Sequence, residues 1–254
     1  MQKNKTNIII LIPKFKYSGA GNSVLRLINF LDTNRFNISV ICLNKCDYKN
    51  SFNKKVNIYE LNNERLFFAF FKILKILRSI SIKSSKNIII SNHHYANVYA
   101  IFFKFILKNI LVLSVERTCI YELSHYFSLK DYFKKIILIF LVKNFYKFSD
   151  HIISNTMYTK NEIRTFSKNN IHHIYPPSLK KIFNFKKKKI LKSFNIVWVG
   201  RLDREKGVEE FLRLIWNIDF KTKVFILGGG KFKKKYENYV KENKNLNLEI
   251  FFKG

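Results

Sequence analysis

Three short apolar runs constrain the fold of this chain more than any other feature of its sequence. They cover residues 7–13 (NIIILIP), 38–43 (ISVICL) and 87–92 (NIIISN), and each is rich in β-branched residues. A continuous run of this kind is typical of a central strand that is covered on both faces of a sheet. Between the first two runs lies SVLRLINFLD, whose apolar residues recur on one helical face. This order predicts a βαβ unit and therefore a parallel sheet.

The same alternation continues along the chain and predicts two domains. ILVLSV (110–115) and HIISNT (151–156) extend the first series, and a second series begins with NIVWVG after a lysine-rich stretch. We therefore expect an N-terminal Rossmann-like domain over 1–178, a basic linker over 179–194 and a second α/β domain over 195–254. The second series holds three strands and two helices, whereas a doubly wound nucleotide-binding domain has two βαβαβ halves. The second domain is therefore expected to be incomplete.

The charge of the chain favours anionic partners. It carries 47 Lys and Arg against 17 Asp and Glu, a net charge of +30. Such a charge attracts nucleic acid, anionic lipid headgroups or phosphorylated substrates. A second explanation is an A/T-biased coding sequence, which enriches Lys, Asn, Ile and Phe without any functional purpose. No helix-turn-helix, zinc-finger or RNA-binding motif is present, so a basic nucleic-acid-binding protein is an alternative that rests on charge alone.

Cysteine content and hydropathy indicate the compartment. Cys42, Cys46 and Cys119 form no CxxC pair and no even disulfide framework, which is typical of a reducing compartment and predicts no zinc site. The N-terminal apolar run is too short for a signal-peptide core, and no apolar stretch of ~20 residues predicts a spanning helix. We therefore expect a cytoplasmic protein without a metal ion.

The most informative motif is GRLDREKG, which runs from Gly200 to Gly207 between a strand and a helix. A strand-to-helix turn directs backbone N–H groups and the positive end of a helix to one spot, which forms an anion site. Arg201 at the strand end and Lys206 at the helix start can both reach that spot. The planar fork of Arg and the compact charge of Lys suit the oxygens of a diphosphate. The alternative is that both are solvated charges in a basic chain.

On these residues the chain resembles the nucleotide-sugar-dependent, retaining glycosyltransferases of family 4. VGRLDREKGVEEFLRLI resembles the signature in which a strand ends in GR and a helix begins with KG. The resemblance implies the GT-B fold, an α/β fold with two Rossmann-like domains. It implies that Arg201 and Lys206 hold the donor diphosphate and stabilise its charge during transfer. It also implies a nucleotide-sugar substrate, expected to be a UDP-sugar, with no further cofactor and no metal ion.

Two other stretches extend the resemblance to the donor site. SGAGNSVLRLINFL resembles the family's glycine-rich loop and first helix, and VFILGGGKF resembles a later strand with its glycine turn. In the family, the backbone of the glycine-rich loop approaches the donor phosphates. The glycine turn after the later strand lies near the donor's nucleotide. The residues that the resemblance assigns to donor binding are therefore Gly19, Gly200, Arg201, Lys206, Gly228 and Gly230.

The chain departs from the family pattern in two places. The family's donor domain continues to two glutamates, separated by seven residues, that contact the donor sugar and ribose, and this chain is expected to be truncated before them. An inactive truncated family member is therefore the alternative to an active enzyme. The family often places a histidine after the strand that matches ILVLSV, where this chain reads SVER. Candidate cleft residues are Glu116, His125 and His93, although His93 also has an interpretation as an ordinary loop residue.

Two aromatic and basic segments bear on the acceptor and on localisation. Residues 65–82 combine Phe, Leu and Ile with Lys and Arg, and residues 132–148 repeat this mixture with Lys alone. Each can lie in a membrane interface or pack as a surface helix on the sheet. The resemblance implies a glycan or lipid-linked acceptor in surface polysaccharide synthesis, such as lipopolysaccharide or capsule. We therefore expect peripheral attachment to the inner face of the membrane.

Overall fold

The chain divides into two compact units, Met1–Ile182 and Phe183–Gly254. Each unit has its own parallel sheet, with seven strands in the first and three in the second. The computed structural model describes residues 5–52, 55–62, 66–81, 86–124, 128–176, 194–203, 206–243 and 245–254. The division lies within the predicted linker over 179–194, nearly all of which is outside the described residues, so its role as a linker stays a prediction.

The first unit alternates strands with helices, as its apolar runs predict. Its strands are β1 (Thr6–Ile12), β2 (Phe36–Cys42), β3 (Asn57–Glu60), β4 (Asn87–Asn92), β5 (Ile110–Glu116), β6 (His151–Ser154) and β7 (Ile171–His173). Its helices are α1 (Gly19–Phe30), α2 (Leu66–Ser81), α3 (His94–Ile106), α4 (Leu129–Phe145) and α5 (Met157–Arg164). The strand order is β3-β2-β1-β4-β5-β6-β7, and every neighbouring pair is parallel.

Helices cover the two faces of this sheet unequally. Helix α1 packs on one face, where Val24 and Ile28 meet Ile8 and Ile10 of β1. Helices α2, α3, α4 and α5 pack on the opposite face, against alternate residues such as Ile9. The central strand β1 is therefore buried on both faces, which explains why it is a continuous apolar run.

A ladder of three asparagines crosses the amino-terminal ends of the central strands, and two of them, Asn7 and Asn87, are buried. Asn7 donates to Asn87 Oδ1 at 2.8 Å and to the Ile80 carbonyl at 3.0 Å, and Asn37 donates to Asn7 Oδ1 at 3.2 Å. Asn7 lies opposite Asn37 and Asn87 in the parallel register. Because a buried amide without partners costs free energy, these bonds favour this register of β2, β1 and β4 over a shifted one.

The second unit comprises β8 (Phe194–Val199), α6 (Val208–Ile215), β9 (Thr222–Leu227), α7 (Lys233–Glu242) and β10 (Leu248–Lys253), with the strands in the order β10-β9-β8. Both helices pack on one face of this sheet, where Leu212 and Tyr236 meet Val224 and Ile226. The prediction of an α/β fold with two parallel Rossmann-like sheets, the second smaller, is confirmed. Within the described part of the chain, no helix is both long enough and apolar enough to cross a bilayer.

Candidate functional site

The strand order of the first unit reverses between β1 and β4, and this places a crevice at their carboxyl ends. Open α/β sheets bind ligands at such a switch point. The chain leaves β1 toward Gly19, the first residue of α1, and leaves β4 toward His93. Both positions were selected from the sequence. The topology therefore brings these two candidates to the same edge of one sheet.

The start of α1 is shaped by a serine cap and by one of the helix's two glycines. Ser18 caps the helix by accepting a hydrogen bond from the Gly21 N–H at 3.0 Å. A Cβ on Gly21 would lie 2.3 Å from the Lys16 carbonyl oxygen, whereas a Cβ on Gly19 would meet nothing within 4 Å. Gly21 is thus required for packing. Gly19 lies in open space, and its assignment to donor binding stays a prediction.

A buried polar network lies beside this crevice and is centred on Glu116, the last residue of β5. The Glu116 side chain is fully buried, and its Oε2 lies 2.7 Å from His94 Nδ1. Its Oε1 accepts hydrogen bonds from the Asn97 amide and the Tyr146 hydroxyl. A buried carboxylate is tolerated when its oxygens are paired in this way. Glu116, selected as a cleft residue, is therefore the centre of a packed network.

Charge within this network shifts the protonation of His94. Burial lowers the pKa of His94, but the neighbouring Glu116 charge and hydrogen bond outweigh it, so the pKa is raised above its ordinary value. His94 Nε2 lies 3.2 Å from the Thr118 hydroxyl. Burial, with the Glu116 charge adding to it, raises the pKa of Tyr146 well above its ordinary value, so its hydroxyl stays protonated as a donor.

His93 and Arg117 lie at the rim of the network. His93 adopts a positive φ of 76°, which a non-glycine residue rarely does, and burial lowers its pKa. Arg117 follows Glu116, and its Nε and Nη2 donate to Asn92 Oδ1 at 3.0 and 2.8 Å. Sequence reasoning selected Glu116 and placed His93 with His94 just past a strand, but it missed the network partners Asn92, Asn97, Arg117 and Tyr146. The SNHHYAN stretch, which holds Asn92 and Asn97, was the local signal for two of them.

The third cleft candidate and the metal prediction are less constrained by the structure. His125 lies outside the described residues. Among the side chains that the structure describes, no group of three or more His, Cys, Asp or Glu could hold a metal ion. The expectation that the chain needs no metal stays a prediction.

In the second unit, Asp203 organises the turn between β8 and α6. Its Oδ2 lies 3.0 Å from Arg201 Nη1, and its Oδ1 accepts from the Lys231 N–H at 3.4 Å. The Lys206 N–H donates to the Asp203 carbonyl at 3.0 Å. The Arg201 side chain is 66% exposed, so its charge faces solvent while one edge is held by the carboxylate. The two predicted cations therefore belong to one turn built around Asp203, which sequence reasoning did not select.

The predicted donor-site glycines have a packing role in this turn. A Cβ on Gly228 would lie 2.0 Å from the Gly200 carbonyl oxygen, and one on Gly230 would lie 2.7 Å from backbone atoms of Leu202. These contacts let the chain that follows β9 pair with the chain that follows β8, since the Leu202 N–H donates to the Gly229 carbonyl at 2.9 Å. Contact of Gly200, Gly228 and Gly230 with a donor stays a prediction.

A family model described as Glycosyltransferase Family 4 matches residues 17–177, which is more than half of the chain. The chain belongs to glycosyltransferase family 4. The matched residues cover most of the first unit, including both the Ser18 cap and the Glu116 network. No curated protein matches this family 4 chain at a significant level.

Solved structures that resemble this family 4 chain include glycosyltransferases. The apo form of the lipopolysaccharide outer core galactosyltransferase WaaB has a TM-score of 0.69 at 15% identity, over 98% of this chain and 68% of that one. Sucrose-phosphate synthase from Thermosynechococcus elongatus has a TM-score of 0.72 at 14% identity, over 98% and 71%. Anabaena HepE has a TM-score of 0.65 at 13% identity, over 98% of this chain and 70% of HepE. At such identities the likeness shows the fold, and it confirms the GT-B prediction.

Gly228→Ala should unfold the turn of the second unit. Its φ of +140° and the 2.0 Å approach of the Gly200 oxygen leave no room for a Cβ, so we expect destabilisation of ~3 kcal/mol or more. Gly229→Ala is the matched control, because a Cβ there meets nothing within 4 Å, and it should change stability by ~0.5 kcal/mol or less. Urea unfolding followed by tryptophan fluorescence reports on this unit, since Trp198 and Trp216 are the chain's two tryptophans. Equal midpoints for the two variants would contradict the argument.

Glu116→Gln should change how stability depends on pH. With Glu116 in place the folded pKa of His94 is raised, so the pair's stabilisation is complete below the unfolded pKa of ~6.5 and is lost as pH rises through the folded value. In the variant, burial lowers the pKa of His94 without the compensating Glu116 charge. The contribution of His94 to the slope of the unfolding free energy against pH therefore reverses sign. The wild-type advantage in free energy of unfolding should therefore shrink between pH 5.5 and 9.

Tyr146→Phe is the control for this titration. It removes a hydrogen bond to the same carboxylate but leaves both charges of the pair in place. Its stability difference from the wild type should not shrink over that pH range. If Glu116→Gln and Tyr146→Phe show the same pH dependence in urea titrations, His94 is not the titrating group.

Proposed function

We propose that this chain transfers a sugar from a nucleoside-diphosphate sugar, expected to be a UDP-sugar, to an acceptor hydroxyl. The observation that carries this is the turn after β8, where Arg201 and Lys206 sit at the carboxyl end of a parallel sheet in a family 4 chain. Two structural neighbours support a uridine nucleotide: HepE was solved with UDP and glucose, and Phytolacca americana UGT2 with UDP-2fluoro-glucose.

The reaction explains why cations belong in this turn. The bond between the sugar C1 and the diphosphate oxygen breaks, and its electron pair leaves on the diphosphate. The acceptor oxygen takes the vacated position at C1, and the proton of its hydroxyl is released. Negative charge grows on the diphosphate in the transition state, so fixed cations beside it lower the barrier. Asp203 would keep the Arg201 guanidinium directed before the donor arrives.

Arg201→Gln and Lys206→Gln should each weaken UDP binding to the full chain. A charge-assisted hydrogen bond contributes ~1.5–3 kcal/mol, so each loss should raise the dissociation constant about 10-fold to 100-fold. Arg213→Gln is the control, because this exposed arginine of α6 loses the same charge away from the turn. Isothermal titration at 0.15 M ionic strength, where long-range charge is screened, measures the three variants. Equal weakening in Arg213→Gln would reject the diphosphate site.

The acceptor is proposed to be a glycan or a lipid-linked glycan of surface polysaccharide, met at the cytoplasmic face of a membrane. Helices α2 and α4 lie on the same face of the first sheet and expose large apolar side chains, which are Phe67, Phe68, Phe71, Phe133, Ile137 and Phe140. Exposed Lys and Arg lie among them, at positions 72, 75, 78, 130, 134 and 143. This mixture suits a surface with anionic headgroups above an apolar layer. WaaB, whose name includes the lipopolysaccharide outer core, supports this class of acceptor.

The double variant Phe68→Ser and Phe71→Ser should lose membrane binding. Burying a Phe side chain contributes ~1.5–3 kcal/mol, so losing two should lower the partition coefficient more than tenfold. Phe30→Ser is the control, because Phe30 is 89% exposed at the end of α1, on the opposite face of the sheet. Cosedimentation of the chain with phosphatidylglycerol vesicles measures the partitioning. Wild-type binding by the double variant, or an equal loss with Phe30→Ser, would exclude this surface.

A further inference from the structure

Arg117 is held in place by a neutral partner. It follows β5 at the carboxyl edge of the first sheet, and its Nε and Nη2 both donate to Asn92 Oδ1. Asn92 is buried at the end of the neighbouring strand β4. Two N–H groups on one oxygen fix the plane of the guanidinium. The side chain is therefore oriented before any ligand arrives.

The second feature of Arg117 is its lack of an ion-pair partner among the described residues. Over the residues that the structure describes, no carboxylate forms an ion pair with this guanidinium. The adjacent Glu116 carboxylate is directed into the core, where His94, Asn97 and Tyr146 occupy it. A guanidinium has five N–H donors, so the two bonds to Asn92 leave three for another acceptor.

Partial burial makes the oriented charge of Arg117 costly unless an anion compensates it. Partial burial strips water from the guanidinium, and it lowers the pKa of Arg117. Arg117 is not needed to hold β4 and β5 together, because these strands already pair over six residues. The planar fork matches the two oxygens of a phosphate or a carboxylate, which would restore the lost interactions. The position beside the β1–β4 crevice is where α/β sheets bind ligands.

We propose that Arg117, positioned by Asn92, binds an anionic group, a phosphate or a carboxylate, of the acceptor substrate. The inference rests on the proposed glycosyl transfer, in which the donor diphosphate is held by Arg201 and Lys206 of the second unit. Arg117 of the first unit is then available for the acceptor. The acceptor would accordingly be a phosphorylated or acidic glycan or lipid, rather than a neutral sugar.

The test compares Arg117→Gln with Arg164→Gln in the full chain. Arg164 is exposed at the end of α5 in the same unit, so both variants lose one positive charge. Inorganic phosphate, D-glucuronate and UDP are titrated separately by calorimetry at fixed ionic strength. We expect Arg117→Gln to weaken phosphate or glucuronate binding about tenfold or more, with UDP binding unchanged and Arg164→Gln within twofold of the wild type.

Thermal unfolding separates a ligand site from a structural role. A residue kept for stability would lower the melting temperature when it is replaced, whereas removal of an uncompensated cation should leave that temperature equal or raise it in the absence of phosphate. If Arg117→Gln does not fold, Asn92→Ala and Arg117→Lys take its place. Each of them should weaken phosphate or glucuronate binding at least ~3-fold relative to Arg164→Gln. Asn92→Ala removes the amide that orients Arg117, and Arg117→Lys removes the planar guanidinium.

Three results would overturn the inference. Equal phosphate and glucuronate affinities in Arg117→Gln and Arg164→Gln would show general charge attraction. Weaker UDP binding in Arg117→Gln, with phosphate and glucuronate unaffected, would assign the residue to the donor. Failure of Asn92→Ala and Arg117→Lys to change any affinity would remove the site. Because phosphate and glucuronate are measured without UDP, a wild-type chain that fails to bind UDP counts against the proposed donor and leaves the Arg117 measurement decisive.

Discussion

The parallel pairing of β1 with β2 on one side and with β4 on the other is the constraint on which the rest of the first unit depends. Because both pairs are parallel, helical connections must run over the sheet, and α1 lies on one face and α2 on the other. The loops that follow β1 and β4 then diverge and leave a crevice at the carboxyl edge. The asparagine ladder through Asn7 holds these same strands in register from the opposite end. Packing at one edge therefore determines the geometry of the site at the other.

The end of strand β5 places two opposite charges in different environments. Glu116 and Arg117 are consecutive, yet the carboxylate is paired with His94 in the core while the guanidinium reaches Asn92 at the rim. A buried ion pair contributes little net stability compared with an apolar core, but it penalises any arrangement that breaks it. The Glu116 network thereby keeps the ends of β4 and β5, and hence Arg117, in one place. The second unit follows the same logic, because Asp203 holds both Arg201 and the glycine turn.

The long elements could be predicted from the sequence because hydrophobic periodicity is a local property. β4 begins and ends at the predicted residues 87 and 92, and the helix predicted to follow GRLDREKG is α6, which begins at Val208. β3 and β7 were not predicted, since four and three residues are too few to show a period. Their stability comes from pairing, β3 with β2 and β7 with β6. The cationic turn at Arg201 could also be identified from sequence, because its residues are contiguous.

The sequence by itself determined the alternation of strands and helices, the two parallel sheets and the GR and KG elements of the turn after β8. These depend on residues close together in the chain, whose propensities and spacing act locally. Only the tertiary structure decided which polar residues are buried partners and which cation, Arg117, meets no carboxylate among the described residues. Tyr146 bonds to Glu116 across 30 residues, and no sequence period links them. Desolvation and pairing depend on packing between distant segments, so the environments of Glu116 and Arg117 were set by the fold.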